Sequence, residues 1–172
     1  GQGKKMAAAD RRLFEGVTRE ITEEILKIPY CFTHRDFQSK NLMVRDGDSL
    51  VLIDFQDALL GPCIYDLVAL LRDSYVELDW PLVEKLINYY KRQYANAPMR
   101  SCAFHLVTLQ RKMKDAGRFV YIDRVKKNPN FLQYIPTTLK YIKNAFEQTY
   151  ALKHLRTYAL CEALKKYVPE WQ

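Results

Sequence analysis

The sequence predicts a mainly α-helical fold carrying one small β-hairpin, and three patterns lead there. Apolar residues recur at helical spacing over most of the chain, Asp46-Gly47 separates two short apolar runs, and prolines punctuate the periodic segments. At 172 residues and 48% hydrophobic content the chain suits one cored domain, residues 1–172, and is short for two.

Residues 1–27 hold a leading segment and a helix. Phe14, Val17, Ile21 and Ile25 share one side of Ala7 to Lys27, with charges between them and Pro29 as the stop. Leu42-Met43-Val44 and Leu50-Val51-Leu52-Ile53 flank Arg45-Asp46-Gly47-Asp48-Ser49, which reads as two strands joined by a tight turn. These strands sit in a loop-rich stretch, residues 30–62. Residues 63–172 then read as helical. Ile64 to Val76 is apolar nearly all round, so this helix is expected to be central and buried. Pro81 opens another, with Leu82, Leu86, Tyr90 and Tyr94 on its stripe and Pro98 at its end. A further helix is expected from Ser101 to Lys114, followed by a turn at Asn128-Pro129-Asn130. Pro136 starts a helix striped by Leu139, Ile142, Phe146 and Tyr150, and the last helix ends near Pro169. Most of the 12 tyrosines are expected on core stripes.

The chemistry is concentrated in His34-Arg35-Asp36-Phe37-Gln38-Ser39-Lys40-Asn41 and in Val51-Leu52-Ile53-Asp54-Phe55. Transfer of a phosphoryl group asks a protein to neutralise phosphate charge and to aim a hydroxyl, so it needs one free carboxylate and a pair of oxygen ligands for a hard cation. Asp36 matches the carboxylate that takes the hydroxyl proton. Asn41, five residues on, and Asp54 match the metal ligands, here Mg²⁺, with ATP as the donor. Asn41 directly precedes the first predicted strand and Asp54 ends the second, so an antiparallel hairpin brings the two together. Four fixed letters recur by accident on the order of once in 10⁵ to 10⁶ starting positions. His34, directly behind the apolar run Tyr30-Cys31-Phe32, is better read as a buried scaffold residue than as an acid or base.

With these residues the chain resembles the aminoglycoside phosphotransferase and choline kinase family, whose pattern runs His-x-Asp, four residues, Asn, then Ile-Asp, then Gly-x-Pro-x-x-Asp-Leu. Gly61-Pro62 and Tyr65-Asp66-Leu67 continue it, although the usual Gly-Asp-Pro reads Leu60-Gly61-Pro62. The resemblance implies the carboxy-terminal, catalytic lobe of a protein-kinase-like fold, with Asp66 bracing the catalytic loop through its backbone amides. Within the family the chain looks most like bacterial kinases that phosphorylate the anomeric hydroxyl of N-acetylmuramate or N-acetylglucosamine in cell-wall recycling. That likeness rests on His34 to Met43, on Ile53 to Pro62 with Leu70 to Tyr75, and on Leu109 to Lys114 with Gly117-Arg118-Phe119. It implies an amino sugar as acceptor; aminoglycosides, choline and homoserine are the alternatives, and a non-catalytic binding module is the rival of another class. Lys40, Gln38 and Asp57 become candidates for phosphate or acceptor contacts. Arg72, Asp73, Tyr75, Gln110, Arg111 and Arg118 become candidates for the acceptor itself. The familiar Asp-Phe-Gly reads Asp54-Phe55-Gln56, which favours a fixed loop over one that flips.

A complete enzyme of this kind also carries a strand-rich amino-terminal lobe with a Gly-rich loop and a paired Lys. No segment ahead of His34 matches it, so that lobe is an expected partner and the chain alone an expected poor catalyst. The net charge is +7, and seven basic against two acidic residues lie between Arg111 and Lys127. Such a cluster suits nucleotide phosphates or an anionic sugar better than nucleic acid, because no nucleic-acid module accompanies it. The four cysteines are widely spaced, with no Cys-x-x-Cys pair, and read as reduced core residues. No signal peptide and no run of 18 apolar residues is found, so a cytoplasmic, membrane-free protein is expected.

Overall fold

The period-four spacing of Val17, Ile21 and Ile25 does form a helix, α1 (Ala8–Leu26), and all three side chains are buried. The computed structural model describes residues 5–94, 102–152 and 154–171. After α1 come β1 (Tyr30–Thr33), a 3₁₀ turn (Ser39–Asn41), β2 (Leu42–Arg45), β3 (Ser49–Leu52) and β4 (Leu59–Pro62). Then follow α2 (Tyr65–Leu71), α3 (Trp80–Gln93), α4 (Ala103–Lys126), a 3₁₀ stretch (Pro129–Tyr134), α5 (Ile135–Thr149), α6 (Thr157–Lys165) and a last 3₁₀ turn (Pro169–Trp171).

The hairpin forms where Asp-Gly predicted it, pairing Leu42 with Leu52 and Arg45 with Ser49. Asp46 and Gly47 take φ of 42° and 86°, the left-handed values a tight reversal needs. The structure adds a second two-stranded sheet, β1 antiparallel to β4, with Thr33 opposite Leu59 and Tyr30 opposite Pro62. Gly61-Pro62, part of the motif that the resemblance rests on, lies in this second sheet and not in a turn. Pro62 ends the strand, where a missing N–H is tolerated. Gly61 is needed for closeness, since a Cβ there would lie 3.1 Å from Thr33 Oγ1.

Two helix boundaries differ from the sequence reading. The segment from Ile64 to Val76 is helical only to Leu71, because Asp73 turns its side chain back to accept the N–H of Tyr75, a local bond that competes with helix continuation. It is central nonetheless: Ile64, Val68 and Ala69 are fully buried. The helix expected to end at Lys114 runs on to Lys126, through Gly117, and stops where Lys127 adopts a left-handed φ of 55° ahead of Pro129. In α3 Val83 and Ile87 are buried, Leu86 and Tyr90 of the expected stripe pack half-buried against the core, and Leu82 and Tyr94 at its ends are exposed. Asp79 caps this helix by accepting the Leu82 N–H. Its expected end at Pro98, and the expected start at Ser101, fall outside the described residues. α5 buries Ile142 and Phe146 as expected. The tyrosines divide: Tyr141 is buried and Tyr65, Tyr90 and Tyr150 pack half-buried against the core, whereas Tyr30, Tyr89, Tyr94, Tyr121 and Tyr158 are exposed, their hydroxyls favouring water. Of the cysteines, all free, Cys161 is buried and Cys31, Cys63 and Cys102 are half-buried.

The core lies where α1, α2, α4, α5 and α6 meet, around Val17, Val68, Val107, Leu109, Phe146 and Leu160. Among the described residues no helix is long and apolar enough to cross a membrane. At one edge of the core Arg72 is buried with its guanidinium 4.7 Å from the Trp80 ring centre and 5.0 Å from that of Tyr141. His105 packs beside it, against Trp80 and Phe104.

Burial, with the Arg72 charge behind it, pushes the His105 imidazole from 6.5 down to about 4. The unfolded chain therefore takes up a proton that the folded chain refuses, and stability should be intact above pH 6.5 and fall as the pH drops from 6.5 towards 4, by at most about 3 kcal/mol from this group. An NMR titration of His105 should report a midpoint near 4; a midpoint near 6.5 would contradict the proposed burial effect.

Candidate functional site

Sequence places Asp36, Asn41 and Asp54 on two loops flanking the hairpin, and the fold closes those loops on one another. Asn41 donates its side-chain N–H to the Asp36 carbonyl at 2.8 Å, and the Asp54 carboxylate lies 3.5 Å from the same Nδ2. The ladder continues one step past β2 and β3, where the Ile53 N–H reaches the Asn41 carbonyl at 3.1 Å. Hairpin pairing is thus what sets the distance between Asn41 and Asp54.

The loop from His34 to Asn41 is held by buried groups of the helical layer. Asp66, in the first turn of α2, accepts the backbone N–H groups of His34 at 2.6 Å and Arg35 at 2.9 Å. Asp73, just past the end of α2, accepts the Ser39 N–H at 2.8 Å and the Ser39 hydroxyl at 2.6 Å. Arg111 of α4, fully buried, donates to the Arg35 carbonyl at 2.8 Å and brings Nη2 to 3.6 Å from the Asp36 carboxylate. Gripped on both sides, Arg35 takes a φ of 75°, and Asp54 one of 67°. Non-glycine residues persist in this region only where the surroundings over-determine them.

His34 is buried, and its Nε2 donates to the Ile53 carbonyl at 3.0 Å. It therefore ties the first loop to the strand end that carries Asp54, a scaffold contact. Gln56, standing where the motif usually has glycine, donates to Asp54 Oδ1 at 2.6 Å and fixes that carboxylate from the side.

A pocket of about 280 Å³ opens over these groups. It takes in Asp36, Gln38, Lys40, Asn41, Asp54, Tyr75 and Arg118 of the residues singled out from sequence. Five others are elsewhere. Asp73 is 1% exposed and both its oxygens are engaged with Ser39 and Tyr75, so it acts on the loop and not on solvent. Arg72 is enclosed by rings, Arg111 is beneath the loop, and Gln110 faces a separate depression lined by Phe14, Thr18 and Met113. Asp57 is exposed on the far side of the loop, where its carbonyl accepts from Arg35. The basic cluster of α4 is accordingly split: Arg111 and Lys112 point inward, and only the remainder can meet solvent.

Sequence reasoning missed the opposite wall, made by Ser74, Lys114, Asp115, Phe119, Ile122 and Phe131. A signal existed, since Lys112 and Asp115 are opposite charges three apart on α4, the spacing of an ion pair on one helix face. Lys40 projects to this wall, with Nζ 3.5 Å from the centre of the Tyr75 ring and 5.2 Å from that of Tyr134.

The donor set fits a hard cation shared with a ligand. With its Nδ2 donating to Asp36, Asn41 keeps Oδ1 as an acceptor, and the Asp54 carboxylate is its neighbour across the same pocket. Among the described residues no group of three or more His, Cys, Asp or Glu side chains could hold a metal alone. One carboxylate and one amide, completed by phosphate oxygens and water, is the pattern by which Mg²⁺ is usually bound.

Known proteins resemble the chain in sequence and in fold. Residues 3–105 match the APH family, the phosphotransferase enzyme family. The N-acetylmuramate/N-acetylglucosamine kinase of Neisseria meningitidis is 33% identical over 82% of this chain and 44% of its own length. The proteins of the same name from Pseudomonas aeruginosa and Pseudomonas putida are 33% and 31% identical over 73% and 81% of this chain. The chain spans about two fifths of the length of these curated relatives. A choline/ethanolamine kinase family protein from Mesorhizobium loti shares the fold, with a TM-score of 0.57 over 91% of this chain and 52% of its own, at 18% identity. Family membership implies ATP as phosphoryl donor, and the chain belongs to the APH phosphotransferase enzyme family.

Proposed function

We infer that this chain is the catalytic lobe of an ATP- and Mg²⁺-dependent small-molecule kinase whose acceptor is an amino sugar. The convergence of Asp36, Asn41 and Asp54 on one pocket carries the reading. Asp36 accepts the proton of the acceptor hydroxyl as the oxygen attacks the γ-phosphorus and the bond from that phosphorus to the β,γ-bridging oxygen breaks, releasing ADP; Arg111 behind it holds the loop in place. Asn41 and Asp54 would hold Mg²⁺, which when bound neutralises charge on the nucleotide phosphates. Asp66 keeps the loop amides aligned, and Gln56 keeps Asp54 aimed. Similarity to N-acetylmuramate/N-acetylglucosamine kinases supports the amino sugar.

A preceding lobe completes the nucleotide site in this reading. Two observations support it: the chain covers only 44% of its Neisseria relative, and an apolar surface lies beside the site, where Phe32, Val44, Leu50, Phe55 and Leu60 are each 66–70% exposed. The isolated chain is accordingly inactive, for want of half the nucleotide's contacts.

An amine alcohol is the second acceptor class, and against it stands Lys40, whose ammonium already occupies the ring box of Tyr75, Tyr134 and Phe131. Incubation of the intact enzyme with ATP and N-acetylmuramate or N-acetylglucosamine should add the mass of one phosphate to the sugar. Transfer only to an amine alcohol such as choline would replace the sugar reading with the second.

In the intact enzyme Asp36→Asn should lower kcat by about 10²- to 10⁴-fold with nucleotide affinity little changed, read by steady-state kinetics and nucleotide titration. Undiminished turnover would remove Asp36 from the role of base. Asp66→Ala should lower kcat by about 10²-fold through misalignment alone, again sparing nucleotide affinity. If its kcat matched the wild type, the brace would be irrelevant to turnover.

A further inference from the structure

Asp115 lines the pocket with Asp36 and Asp54 but comes from α4, on the opposite wall. Its side chain is 10% exposed, against 46% for Asp36. Oδ2 accepts from Lys112 Nζ at 2.9 Å and Oδ1 faces Lys114 Nζ at 3.4 Å. Burial pushes the Asp115 carboxyl up, but the charges of Lys112, Lys114 and Arg111 outweigh it and hold the group below the ordinary carboxylate range.

Lys112 is fully buried and has no route to solvent. Its second bond goes to Ser74 Oγ at 3.0 Å, Ser74 lies 2.9 Å from Thr138 Oγ1, and Thr138 donates to the Tyr134 carbonyl at 2.7 Å. An ammonium can only donate, so Ser74 accepts from Lys112; with the Thr138 O–H committed to the Tyr134 carbonyl, Ser74 donates its own O–H to Thr138 Oγ1, and the chain of bonds runs one way, from α4 to α5. The polar groups beneath this wall are thus tied to one another. A buried ion pair, however, is commonly no more stabilising than an apolar pair of the same volume. Folding alone gives no reason for a charged pair here. Beside it, Phe119 and Phe131 stack at 5.8 Å with their planes 21° apart, presenting apolar surface to the same space.

We propose that Asp115 anchors the acceptor, its carboxylate accepting a hydrogen bond from a hydroxyl or acylamino N–H of a ring-shaped polyol packed against Phe119 and Phe131, with Lys112 as the positioning residue that aims that carboxylate. The inference rests on the pocket being the acceptor site of a sugar kinase, and it adds a specificity group on the wall facing Asp36. A carboxylate accepts and never donates when ionised, so the site selects for a donor on the acceptor and penalises an analogue that lacks one.

The test uses the intact enzyme, N-acetylglucosamine and two variants. D115N keeps the shape and removes the charge; the double variant K112M/D115L replaces the pair by apolar side chains of similar volume. Both should raise the KM for N-acetylglucosamine by about tenfold or more and leave the KM for ATP within about twofold, while the double variant keeps or raises the Tm. A fall in Tm with an unchanged sugar KM in both variants would make the pair a purely structural element and overturn the proposal. Equal losses in the KM for ATP would overturn it too, since the effect would not belong to the acceptor. Absence of any turnover of the sugar by the wild-type enzyme would instead defeat the parent reading of the acceptor, and this inference with it.

Discussion

Two carboxylates at the two ends of one short helix hold the site. Asp66 stands in the first turn of α2 and Asp73 just past its end, and both reach the same loop. One takes the N–H groups of His34 and Arg35, the other the N–H and hydroxyl of Ser39. Between these grips lies Asp36, and immediately after them Asn41. Charged acceptors on backbone amides are among the stronger hydrogen bonds a protein makes, of the order of 1.5–3 kcal/mol each. The loop between them is short, so its geometry follows that of α2, and α2 is seated in the core by Val68, Ala69 and Leu71. Packing of an apolar helix thereby sets the aim of a polar side chain.

The hairpin performs the complementary task for the metal ligands. Its register puts Leu42 opposite Leu52, and one step further Asn41 meets Ile53, leaving Asp54 to turn back at a φ of 67°. His34 bonds the Ile53 carbonyl and so links the hairpin to the loop that Asp66 holds. Three separate pieces of backbone are coupled without any of them being long. Buried cations complete the arrangement from below. Arg111 meets the Arg35 carbonyl and the Asp36 carboxylate, and Lys112 meets Asp115. A buried guanidinium without such partners would be prohibitively costly, which is why these two basic residues cannot be read as part of a solvent-facing patch.

Much of this was readable in the chain. Asp-Gly between apolar runs announced the hairpin, and the spacing of Asp36, Asn41 and Asp54 announced their meeting. The amphipathic stripes of α1 and α5 had the right period and the right phase. The failures share a cause, since each depended on partners remote in sequence. Tyr30–Thr33 has too few residues to declare itself a strand until Leu59–Pro62 lies beside it. The α3 stripe was right at Leu86 and Tyr90 and wrong at Leu82, because Leu82 and Val83 are equally apolar and only the position of the core chooses between them. The resemblance makes Asp73, Arg72 and Arg111 candidates for the acceptor by their place after the metal-binding Asp, yet all three are enclosed.

Local chemistry therefore dictated which residues could do phosphoryl-transfer work and which backbone device would join them, because turn preferences and short spacings act over a few bonds. Assignment of each charge to pocket, brace or core was reserved for the packed molecule. Lys112 and Lys114 are two residues apart and chemically identical, but one is sealed under the pocket and the other lies 44% exposed at its rim. The helix period sends them different ways, and whether a given direction leads to water depends on what the other helices have already filled.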